Sequence, residues 1–80
     1  MKKLSIKLLA DTISIHRKEK NITQKHLSEL TGINRAMICR LEKEDFIPSI
    51  AQLESLGEVL GFEPISMFIE EKKETVKSPL

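Results

Sequence analysis

Residues 21–43 read NITQKHLSELTGINRAMICRLEK, and two helix starts stand inside them. Thr23 suits the N-cap of the first, where a hydroxyl accepts a hydrogen bond from a backbone N–H that the helix itself leaves unsatisfied. Leu27 and Leu30 follow at a spacing that turns both inward. Gly32 ends this helix, because glycine enters the left-handed conformation without steric cost. Asn34 then caps the next helix, so the connection is only a few residues long.

Stepping that next helix, residues 35–43, by about 100° per residue from Ala36 separates two faces. Met37, Leu41 and Ile38 fall between about 100° and 200° and make an apolar side that belongs against a core. Arg35, Cys39, Lys43 and Arg40 flank Ala36 on the outward side, which is small or basic and carries no acid. Two short capped helices around a glycine turn, the second with a basic outer face, form a helix-turn-helix arrangement.

The rest of the chain is also helical in pattern, and no stretch alternates with period two. A first helix is expected over residues 4–20, with Ile6, Leu9, Ile13 and His16 or Arg17 on one face. Pro48 and Ser49 open a fourth, in which Ser49 and Gln52 have the spacing of a capping box and Leu53, Leu56 and Leu60 form the buried stripe. Gly57 inside that helix costs about 1 kcal/mol against alanine, which points to close approach of another backbone. Gly61 ends it. Pro64 suits the first turn of a short fifth helix running to about Glu71, with Ile65, Phe68 and Ile69 as its apolar residues. Glu63 is a poor cap for it. The expected architecture is therefore an all-α domain of five helices over residues 1–69, followed by a charged tail, residues 70–80, EEKKETVKSPL, expected to fray.

An 80-residue chain is one domain with one modest core, too short for a two-domain enzyme. The single cysteine, Cys39, cannot close an internal disulfide, which points to a cytoplasmic protein. The basic start MKKLSIKLLA is interrupted by Ser5 and Lys7 and runs into Asp11, so it is not expected to be a secretory signal, and no membrane span is expected. Net charge is only +1, yet residues 1–43 carry ten Lys and Arg against four acids, while residues 44–80 carry three Lys against eight. A basic half on a near-neutral chain is the footprint of a polyanionic partner, although chance segregation produces the same count in a short chain.

Residues 21–69 resemble the phage repressor and Cro-like helix-turn-helix family, the lambda-repressor-like domain also found in xenobiotic-response-element regulators. The shared marks are Ile22-Thr23-Gln24, Leu27, Leu30, Gly32, Ile33, Ile38, Leu41-Glu42, Pro48-Ser49, Leu53, Leu60 and Gly61, with Arg17 in the first helix. The resemblance implies a compact five-helix domain, usually dimeric, that places its third helix in the major groove of double-stranded DNA. Asn34, Arg35, Ala36, Cys39 and Arg40 match the positions that face DNA. Chemistry then assigns roles: Arg35 and Arg40 can each pair bidentately with guanine, Ala36 can touch a thymine methyl, and Gln24 and Asn34 stand at helix N-termini that favour phosphate. Lys25 and Lys43 are expected as phosphate clamps.

One departure concerns the loop after the third helix, which often begins with glycine and carries basic residues in this family but reads Glu44-Asp45-Phe46-Ile47 here. Either it points away from DNA, or Phe46 and Ile47 anchor a protein contact, or the two simply pack under their own loop. Arg17 and Glu42 match positions where the family pairs an arginine with a glutamate, and a partly buried ion pair is expected rather than two surface charges.

Metal and catalytic chemistry are not expected. His16, His26 and Cys39 lie too far apart in sequence for the usual zinc pairs; His16 is expected at the core edge and His26 in solvent. Cys39 on a convex helix has no sign of an orienting base, although flanking Arg35 and Arg40 would favour its thiolate in a redox role. No cofactor is implied. The preferred function is a sequence-specific DNA-binding transcriptional regulator, a dimeric repressor. An antitoxin whose tail or fifth helix engages a protein partner, and a protein-interaction domain on the same scaffold, are the alternatives.

Overall fold

A computed structural model describes residues 1–70. The order is strand β1 (Lys2–Leu4), helices α1 (Ile6–Glu19), α2 (Gln24–Thr31), α3 (Arg35–Glu42) and α4 (Ile50–Leu60), a single 3₁₀ turn (Pro64–Met67) and strand β2 (Phe68–Glu70). The expected frayed tail lies, beyond residue 70, outside the described residues.

Local capping chemistry sets most of these boundaries. Ser5 accepts from the Leu8 N–H at 3.2 Å and starts α1. Thr23 Oγ1 accepts from the His26 N–H at 3.0 Å and starts α2. Ser49 and Gln52 form the full reciprocal capping box of α4, with bonds of 2.9 and 3.1 Å. Gly32 and Gly61 end α2 and α4 with φ of 77° and 87°, in the left-handed region.

Inside, Leu9 and Ile13 of α1, Leu27 of α2, Ile38 and Leu41 of α3 and Leu53, Leu56 and Leu60 of α4 are fully buried in one cluster, joined by Ile33 and Met67. Each fully buried leucine or isoleucine contributes about 1.5–3 kcal/mol, which makes this cluster the main source of stability. Gly57 allows α4 to be crossed closely: a Cβ there would lie 2.6 Å from the Phe62 carbonyl oxygen and 3.1 Å from Pro64 Cδ.

The five-helix, all-α expectation is corrected at both ends. The first helix begins at Ile6, because residues 2–4 are extended and pair antiparallel with residues 68–70, in the register Lys2↔Glu70, Lys3↔Ile69, Leu4↔Phe68. The expected fifth helix is a single 3₁₀ turn that gives way to β2. Glu63 supplies no side-chain cap, and Leu4 and Phe68 gain burial against the core in the extended form. Backbone pairing with β1 then satisfies groups that a helix would have satisfied internally. Leu30 is also corrected: it is 49% exposed rather than inward, as are Ile65 and Ile69 to similar or greater extent.

Candidate nucleic-acid interface

The α2–turn–α3 unit is held by side chains that bond its own backbone. Ser28 donates to the Ile33 carbonyl at 2.6 Å, and Thr31 donates to the Leu27 carbonyl at 2.8 Å while accepting from the Ile33 N–H at 3.2 Å. Asn34 Oδ1 accepts from the Ala36 N–H at 2.7 Å and so starts α3. With Ile33 buried in the turn and Leu27, Ile38 and Leu41 buried beneath, the outward side of α3 is fixed in direction.

That side carries Asn34, Arg35, Ala36, Arg40 and Lys43, all exposed. Cys39 is half-buried at its edge, and Met37 is half-buried on the core side. Lys25 is exposed at the first turn of α2. Gln24 is half-buried, and its amide donates to Glu42 Oε1 at 3.2 Å rather than standing free at the helix start.

Arg17 and Glu42 form the expected pair. Nε and Nη2 of Arg17 donate to the two Glu42 oxygens at 2.7 and 3.1 Å, and Nη1 donates to the Ile22 carbonyl at 2.9 Å. Only 13% and 11% of the two side chains remain accessible. The bidentate hydrogen bonding, opposed by desolvation and aided by the Glu42 charge, holds the Arg17 guanidinium above its ordinary pKa. A raised base adds stability below its ordinary pKa and loses it only above, so this contribution is complete throughout the neutral range. The pair ties α3 to α1 and, through Gln24, to the start of α2.

His16 sits at the core edge, as expected: Nδ1 is 3.1 Å from the Leu60 carbonyl, and the ring meets Phe62 edge-on at 6.2 Å. A carbonyl only accepts, so Nδ1 carries the proton. His26 is exposed. Among the described residues no group of three or more His, Cys, Asp or Glu is arranged to hold a metal ion, and no helix is long and apolar enough to cross a membrane.

Of the two apolar residues in the loop after α3, Phe46 packs as the last of the three expectations has it and Ile47 does not. Phe46 is half-buried against the core, Ile47 is exposed, and Asp45 turns back to Arg40, its carboxylate 3.4 Å from Nε. The Arg40 guanidinium also lies over the Phe46 ring at 5.9 Å. Sequence reading missed these two neighbours because the turn depends on Glu44 adopting φ 62°, a left-handed conformation usually signalled by glycine.

The family model described as helix-turn-helix matches residues 13–67, more than half of the chain and the whole capped unit just described. The chain belongs to the helix-turn-helix family. A helix-turn-helix-type transcriptional regulator of Methanothermobacter thermautotrophicus is 40% identical over 50 residues, which is 62% of this chain and 72% of that protein. The crystal structure of the restriction-modification controller protein C.AhdI from Aeromonas hydrophila is similar in fold to this helix-turn-helix protein, with a TM-score of 0.70 at 22% identity, covering 79% of this chain and 96% of that one.

Proposed function

We propose that this helix-turn-helix protein regulates transcription by binding double-stranded DNA in a sequence-specific way, as a homodimeric repressor. The observation that carries the reading is the rigidly mounted strip of Asn34, Arg35, Ala36, Arg40 and Lys43, exposed along one side of α3 with no acid on it. Family membership and the regulator homologue support it. The α3 helix enters the major groove; Arg35 and Arg40 face base edges, where a bidentate arginine recognises guanine N7 and O6. Ala36 leaves room for a thymine methyl, Asn34 meets phosphate at the α3 N-terminus, and Lys25 and Lys43 clamp the backbone. Gln24 contributes by aligning Glu42 and, with its backbone at the start of α2, by approaching phosphate. Cys39 lies at the margin of the strip. Two copies related by a two-fold axis present their α3 helices to half-sites about 34–36 Å apart, or a multiple of that spacing.

Selection of bound sequences from a randomised duplex library tests this directly. A two-fold enriched motif, with affinity falling steeply as salt rises, is the expected result. No enrichment, or a flat salt response, would refute it.

A further inference from the structure

The α3 helix ends in a backbone lock that aims one side chain. The Glu44 N–H bonds the Leu41 carbonyl at 3.0 Å and the Asp45 N–H bonds the Arg40 carbonyl at 2.8 Å, with Glu44 left-handed between them. This is the Schellman pattern, which brings the residue two beyond the cap beside the third-last residue of the helix. Those two positions normally share an apolar contact. Here they are Asp45 and Arg40, an ion pair with Nε at 3.4 Å, and the next residue, Phe46, puts its ring under the guanidinium at 5.9 Å.

We propose that Asp45 and Phe46 are positioning residues that set the sequence specificity of Arg40. The inference rests on α3 being the DNA-reading helix. Asp45 occupies the Nε edge of the guanidinium, and among the described residues no other polar group engages Arg40, so the Nη1/Nη2 fork stays available for the N7 and O6 of one guanine. The Phe46 ring, itself seated on the core, attracts the guanidinium from 5.9 Å and so favours this placement of Arg40. The Asp45 charge also penalises swinging Arg40 towards a neighbouring phosphate, because the carboxylate would lose its partner and face a like charge. An arginine that would otherwise serve as a general phosphate contact is thereby held for base reading, at some expense in total affinity. This explains an acidic residue beside a basic strip, where simple electrostatics favours a lysine.

The test is Asp45→Asn, which keeps the shape and removes the charge at an exposed position, measured beside wild type, Arg40→Ala and the double variant. Each is applied to a randomised duplex library and to one fixed random duplex at several salt concentrations, with thermal unfolding to verify the fold. For Asp45→Asn, preference at one base pair of each half-site should fall by about two- to fivefold, the range an exposed ion pair supplies and part of what a bidentate arginine gives. Random-duplex binding should tighten, with a log-log salt slope steeper by about 0.9 as Arg40 gains a phosphate. In the Arg40→Ala background the Asp45 change should leave the base preferences unaltered. Phe46→Leu, which keeps an apolar anchor but removes the ring face, should broaden preference at the same base pair.

Unchanged preferences in Asp45→Asn and Phe46→Leu, or an Asp45 effect that persists without Arg40, would overturn the positioning role while leaving DNA binding intact. Absence of any enriched motif for the wild-type protein would instead remove the functional reading on which the role rests.

Discussion

Glu42→Ala is the sharpest test of how α3 is mounted. The substitution removes the acceptors of two Arg17 hydrogen bonds, at 2.7 and 3.1 Å, and of one Gln24 hydrogen bond at 3.2 Å, and leaves the guanidinium with only the Ile22 carbonyl. With the Arg17 side chain only 13% accessible, water restores little of what is lost. Stranding a charge in that setting costs about 3–5 kcal/mol. Domains have about 0.05–0.15 kcal/mol of stability per residue, so an 80-residue chain holds on the order of 4–12 kcal/mol, and the variant forfeits about a quarter of it or more. At about 4–8 °C per kcal/mol, the thermal midpoint should drop by on the order of 12–40 °C. Circular dichroism at 222 nm during urea and thermal unfolding reads this. Arg17→Met combined with Glu42→Leu should recover most of the loss, since an apolar pair leaves no buried charge. A loss below about 1 kcal/mol for Glu42→Ala would refute the reasoning, because it would mean that the pair behaves as an exposed one.

Gly57→Ala places a methyl 2.6 Å from the Phe62 carbonyl oxygen, so overpacking of about 1–3 kcal/mol should exceed the helix-propensity gain of about 1 kcal/mol and lower the thermal midpoint; an unchanged or raised midpoint would show that the 3₁₀ turn shifts freely. Glu44→Gly relieves the left-handed strain at φ 62° and should stabilise by about 1 kcal/mol, read as a rise of several degrees in thermal midpoint. Lys43→Ala and Lys25→Ala should each weaken binding to all duplexes about equally and flatten the salt slope by about one unit; a selective loss on one sequence would reassign that lysine to base reading.

The features legible in the linear sequence share a short range. Thr23, Asn34 and the Ser49–Gln52 box each bond a backbone group within three residues, and Gly32 and Gly61 answer a local need for positive φ, so residue type alone reveals them. The outward strip of α3 follows from helical periodicity, which is equally local. The Arg17–Glu42 pair spans 25 positions, and only its match to a family pattern made it visible. What tertiary structure alone decided lies at the contacts without such a local cue. Strands β1 and β2 are three residues each, too short for a period-two signal, and exist because Leu4 and Phe68 meet at opposite ends of the described chain, over a core that neither segment contains. The same holds for Leu30, whose helical spacing points inward but whose place on α2 leaves it uncovered. Asp45 and Phe46 are close to Arg40 in sequence, yet their contact depends on Glu44 taking a conformation its residue type disfavours, and it is the fold around Phe46 that holds it there.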